Sequence, residues 1–177
     1  MAIGGAHGGD VFAAADVHYL PCGGARAAVV LAADAAFSVV VEEMTATVPE
    51  AMPYRPGEFF MRELPALRAV LRAVHGLGLL VVDGYVDLDP TGRPGLGAHA
   101  HDEFGVPVIG VAKTAFRTAT HAVPVLRGRS ARPLYVTAAG MPVKEAADLV
   151  IHMAGPFRRP DALRRVDALA RTGQRPG

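Results

Sequence analysis

Cysteine and tryptophan are almost missing from this sequence. Of 177 residues one, Cys22, is cysteine and none is tryptophan, and aromatic residues together make up only 6%. A single thiol excludes an internal disulfide framework, so a reducing, cytoplasmic setting is expected rather than a secreted one. No apolar run approaches the roughly 20 residues of a membrane-spanning helix, and the opening "MAIGGAHGGD" lacks the basic start and apolar stretch of a signal peptide. No membrane association is therefore expected. Net charge is scarce too, at +1, but the total hides a sorting of the charges. Residues 1–112 hold six basic and thirteen acidic side chains, whereas residues 113–177 hold twelve and four. An acidic front and a basic back fit an acidic reaction centre beside a surface that grips a polyanion, and fit equally two solvated faces of opposite sign.

What the chain does have is apolar substance: 51% hydrophobic residues against 20% charged. That balance and this length suit one packed core, so residues 1–177 are expected to form a single domain, with flexible ends at 1–9 and 172–177. Three early segments, "VFAAADVHYL", "ARAAVVLAA" and "FSVVVEEMTATV", read as strands joined by tight turns. A proline-rich loop then leads into apolar positions Phe59, Leu64, Leu67, Val70, Leu71 and Val74 at helical spacing, with Gly76 or Gly78 as the stop and Pro65 as a kink or restart. "LGLLVVDG" and "VPVIGVAKT" are continuous apolar runs of the sort found in sheets covered on both faces, separated by a Gly/Pro/Asp loop and a short helix around Leu96–Phe104. A basic irregular stretch, a further strand in "RPLYVTAAG" and a helix in "MPVKEAADLVIHMAG" complete the pattern. Strands first, then strand and helix in alternation, predict a mixed α/β sheet: antiparallel for its first three strands, parallel thereafter, flanked by helices.

Two acids close strands, Asp16 and Asp83, and Glu63 lies on the helix that leads between them. Each alone also fits a turn or a solvated surface. Together they could meet, because the carboxyl ends of neighbouring parallel strands share one crevice. Three carboxylates at one place repel unless a cation lies between them, and oxygen ligands suit Mg²⁺ or Mn²⁺. Carboxylate-held divalent cations polarise a phosphoryl oxygen, activate water and steady the leaving oxygen, which points to phosphodiester hydrolysis.

The blocks "ADVHY", "PYRPGEFFMRELPAL", "VVDG", "GLGAHAHDEFGVPVIGVAKT" and "PLYVTAAGMPVKEAADLV" resemble, in the same order from Asp16 to Ala170, those of the endonuclease V family. The resemblance implies a ribonuclease H-like fold and cleavage of nucleic acid that contains a deaminated purine, deoxyinosine or inosine, on its 3′ side. It implies Asp16, Glu63 and Asp83 as metal-binding carboxylates, Lys113 near the scissile phosphate, and Asp167 as a further acid near the metal. Tyr54, Arg55, Pro56 and Gly57 match the family's wedge, an aromatic and a stiff turn that offset the unstacking of an extruded base. The same four residues also suit an ordinary turn before a helix. Gly84 falls where the family's backbone approaches that base, although glycine suits any sharp strand exit.

Departures accompany the match. Arg55 replaces a usual aliphatic residue, Asp89-Pro90-Thr91 stands where the family has His-Pro-Arg, the stretch from Lys113 to Pro133 is short and basic, and fewer residues than usual precede Asp16. "DLDPTG" imitates a calcium loop but has Ala98 at the twelfth position. "GLGAHA" lacks the third glycine of a dinucleotide fingerprint, and His99, His101 and Asp102 lack partners at metal-ligand spacing. The expectation is thus a divalent-metal-dependent endonuclease with a nucleic-acid partner and no obligate protein partner. The rivals are a diverged member that binds but cuts weakly, and a small-molecule enzyme on a nucleotide-binding sheet.

Overall fold

The computed structural model describes residues 10–49 and 59–174. Strands β1 (Val11–Tyr19), β2 (Ala25–Ala32) and β3 (Val40–Val48) form an antiparallel meander. Helix α1 (Phe59–Leu71) leads to β4 (Leu77–Asp83), which lies parallel to β1. Helix α2 (Leu96–Phe104) leads to β5 (Val108–Ala112), parallel to β4. The chain then makes a short strand β6 (Val123–Val125), a strand β7 (Leu134–Ala139), and helices α3 (Val143–His152) and α4 (Asp161–Thr172). The seven strands run in the order β3-β2-β1-β4-β5-β7-β6.

The parallel part of the sheet stops at β5. Strand β7 runs antiparallel to both β5 and β6, because the excursion between β5 and β7 contains no helix to carry a crossover. Pro124 is tolerated in β6 since that strand is the sheet's edge. Alternation along the strands divides the core in two. Ala14, Val81, Val111 and Val136 face α3 and α4, whereas Ala13, Ala15, Val29, Leu80 and Val82 face α1 and α2.

Helix α1 passes through Pro65 without breaking, since that residue is exposed and only the carbonyl one turn earlier loses its donor. The helix ends at Leu71, before the glycines expected to stop it. Gly76 instead turns the chain with φ +72 into β4, and Gly78 already belongs to that strand, where a Cβ would lie 2.7 Å from the Asp10 side chain.

Candidate active site

Asp16 and Asp83 stand one step beyond the last parallel pair, Ala15↔Val82: Asp83 closes β4, whereas Asp16, expected to close β1, lies inside it, because β1 runs on to Tyr19 in its pairing with β2. Their parity with Ala14 and Val81 points both side chains toward the α3/α4 layer, and Lys113, two residues past Val111, follows them. The Lys113 Nζ lies 2.9 Å from Asp83 Oδ2. Asp16 is pushed up to about 7, first by burial and then by the charge of Asp83, with Asp167 adding to the rise. The Val17 N–H, which donates to Asp16 Oδ1 at 2.8 Å, and the Lys113 charge act in the other direction. The pair of acids is therefore under-compensated by the protein alone.

Asp167 comes from α4. Its Oδ1 accepts from Arg171 Nε at 2.9 Å, and its Oδ2 lies 3.2 Å from Arg159 Nη2. Burial would raise its pKa, but the hydrogen bonds from Arg171 and Arg159 hold it below the usual carboxylate range. Glu63 reaches the end of β1 from the opposite layer, where its Oε1 accepts from Tyr19 Oη at 3.2 Å. Among the described residues, no three His, Cys, Asp or Glu side chains stand together as a ready metal cluster. The structure thus brings Asp16, Asp83, Lys113 and Asp167 into one electrostatic neighbourhood, and does not gather Glu63 to the two aspartates.

The donor set nevertheless suits a hard cation. Two carboxylates side by side where β1 and β4 stop pairing, one of them holding its proton to about 7 because of burial and its neighbour, are what an added divalent ion would relieve.

Gly84 follows Asp83 with φ +128 and open space where a Cβ would stand, and its N–H donates to Val111 O at 3.0 Å. Beneath it Gly110 has no room for a side chain: a Cβ there would lie 2.6 Å from Gly84 O and 2.9 Å from Val86 N. The wedge residues Tyr54, Arg55, Pro56 and Gly57 lie outside the described residues. Asp89, the departure from the family's histidine, caps its own turn by accepting from Thr91 N at 3.0 Å, Thr91 Oγ1 at 2.6 Å and Arg93 N at 3.2 Å. His101 is likewise structural, with Nδ1 2.7 Å from Val106 O.

Several residues around the site escaped the sequence reading. Thr137, 1% exposed, accepts from Val86 N at 2.8 Å and pins the chain after Gly84. Tyr85 Oη donates to Thr114 O at 2.7 Å and accepts from Phe116 N at 2.9 Å, which shapes the turn after Lys113. Arg158 bonds the Lys113 carbonyl itself. Nothing in a single sequence marks such contacts, because each joins segments far apart along the chain.

The sheet order, with acids where the first and fourth strands stop pairing, can be set against known proteins. The family model for endonuclease V matches residues 6–140. An endonuclease V of Streptomyces coelicolor is 37% identical over 173 residues, covering 85% of this chain and 72% of that protein. The chain belongs to the endonuclease V family. Its members are nucleases, and the endonuclease V structures that it resembles have a ribonuclease H-like fold. The Streptomyces avermitilis endonuclease V structure superposes with a TM-score of 0.78 at 29% identity, covering 93% of this chain and 82% of that one. Endonuclease V of Ciona intestinalis, solved with a 23-nucleotide DNA containing an inosine, shares the fold at a TM-score of 0.73 and 18% identity, over 93% of this chain and 85% of that one. No helix among the described residues is long and apolar enough to cross a membrane.

Proposed function

We propose that this endonuclease V homologue hydrolyses a phosphodiester on the 3′ side of inosine or deoxyinosine in single-stranded nucleic acid, in a divalent-metal-dependent reaction. The observation that carries the reading is the under-compensated Asp16–Asp83 pair just past the last parallel pairing of β1 with β4, with Lys113 2.9 Å from Asp83. The Ciona relative solved with inosine-containing DNA supports the substrate class. Asp16 and Asp83 would hold Mg²⁺ or Mn²⁺, and Glu63, which does not stand in a ready cluster with them, would be drawn in as a third ligand when the ion binds. When bound, such an ion supplies Lewis-acid stabilisation of phosphate charge and a lowered pKa for attacking water. Lys113 brings a fixed positive charge beside the acids, where the scissile phosphate would lie. Gly84 leaves the strand end open to a base, and Tyr54 to Gly57 serve as the wedge. The basic last third of the chain, twelve basic against four acidic residues from 113 onward, supplies counter-charge for the strand.

A second reading, binding without efficient cutting, is favoured by one observation: Asp167 is already committed to Arg159 and Arg171. The test is cleavage of inosine-containing single-stranded DNA and RNA, against adenosine controls, with Mg²⁺, with Mn²⁺ and after chelation. Product should appear with metal and vanish on chelation, and Asp16→Ala should bind but not cut. Equal cleavage by both proteins would contradict the metal-site assignment, and binding with no product under either metal would select the second reading.

A further inference from the structure

Two arginines form a continuous tie from the α3–α4 loop to the Lys113 backbone. Arg127, just past β6, is only 7% exposed. Its guanidinium meets main-chain carbonyls throughout: Phe157 O at 2.7 Å, Gly155 O at 3.1 Å, Arg158 O at 3.4 Å, Ile151 O at 3.5 Å, and Met153 O. A buried cation that is spent on carbonyls from one loop fixes that loop's path, since leaving the fork unsatisfied would be costly. The loop is tied at a second point, where Ala154 N donates to Ala36 O at 2.7 Å. From the loop so held, Arg158 reaches across to the end of β5. Its Nη2 donates to Lys113 O at 2.5 Å and Pro133 O at 2.8 Å, and its Nε to Arg132 O at 3.0 Å. The next residue, Arg159, pairs with Asp167.

We infer that Arg158, held in place through Arg127, is a positioning residue for Lys113 in the hydrolysis proposed above, on which this inference rests. Lys113 reaches Asp83 directly, and it follows the final residue of β5, so the strand ladder no longer restrains it. The planar fork of Arg158 replaces that restraint by bonding the Lys113 carbonyl and the start of β7's approach at once. A displacement of about 1 Å at a charge beside the reacting phosphate is enough to lower turnover about 100-fold.

The experiment is a double-mutant cycle with a structural readout. Arg158→Ala should lower kcat on the inosine strand about 10- to 100-fold, with KM and the salt dependence of binding unchanged. In a Lys113→Ala background the same change should have almost no further effect. Arg158→Lys, which keeps the charge but loses the fork, should remain impaired. Hydrogen exchange, read without any cleavage, should quicken in Arg158→Ala within 113–117 and 132–134 and nowhere else. The inference is overturned if the two substitutions add fully, if the salt slope falls by about one unit as loss of a phosphate contact requires, if Arg158→Lys restores wild-type turnover, or if exchange in 113–117 is unchanged. Should Arg158→Ala unfold, the cycle and the exchange measurement are run on Arg158→Lys. Failure of the wild-type protein to cut would sink the proposed function instead, while the exchange result would still stand.

Discussion

Asp34 and Asp16 are both acids of the antiparallel meander, one in the turn after β2 and one inside β1, yet the protein treats them in opposite ways. Asp34 follows β2 at the far end of the sheet, and its carboxylate accepts from Ala36 N at 3.0 Å, Val39 N at 3.1 Å and Ser38 N at 3.2 Å. Burial is the largest single influence and raises its pKa, but the hydrogen bonds from Ser38, Val39 and Ala36 together prevail and hold it below the usual range. Those bonds let Phe37 adopt φ +56, uncommon outside glycine, in the turn into β3. Asp16 is buried, with two like charges nearby and only one such donor, Val17, so it is pushed up to about 7. One carboxylate closes a turn and supports the fold; the other strains against it and is available to an incoming cation.

Substitution should break that contrast most visibly at Asp16. Asp16→Asn removes a charge from the pair, and we expect cleavage to fall on the order of 10³-fold, the equivalent of the several kcal/mol that a bound cation contributes. Metal-free Asp16→Asn should melt at a higher temperature than the metal-free wild type near neutral pH, because the repulsion with Asp83 is gone. A lower melting temperature would show that Asp16 supports the fold as Asp34 does. An intermediate case is Thr137, whose hydroxyl serves Val86 N from full burial. Thr137→Val should destabilise by about 1–3 kcal/mol in urea unfolding, the cost of an unsatisfied buried donor.

Asp34→Ala should have the smallest effect, a loss of about 1 kcal/mol at pH 7 with cleavage unaltered. Its pH dependence follows from the depressed folded pKa. The stabilisation is complete above the unfolded value near 4 and disappears as pH falls through the lower folded value. The gap between wild type and Asp34→Ala should therefore close in unfolding curves taken from pH 7 down to about pH 2.5. A gap that stays constant would mean that the ionised carboxylate contributes nothing beyond turn geometry.

Much of this contrast was open to reading in the sequence. Asp16 and Asp83 each terminate an apolar run, which put Asp83 rightly at the end of β4 but Asp16 wrongly at the end of β1, since that strand continues through Tyr19 as a partner of β2 beyond its parallel pairing with β4. The α2 range agrees residue for residue, because Gly95 and Gly105 bracket it. What stayed hidden had weak local signals. Strand β6 is three residues long with a proline at its centre. Helix α4 carries buried Ala162, Leu163, Val166, Leu169 and Ala170 at helical spacing, but arginines crowd the intervening positions and mask the stripe. Arg127 reads as a surface residue in a basic stretch, and only tertiary packing shows it to be buried.

Gly110 carries a last implication. With Gly84 O, Thr137 Oγ1 and Val86 N all within 3 Å of where a Cβ would stand, the floor under the open strand end is as thin as a polypeptide can make it. Adding a single methyl group would act as a shim, lifting the Gly84 turn away from the sheet while leaving every acid and base of the centre chemically intact. The reach of this cleft is in that sense set by an atom the chain omits.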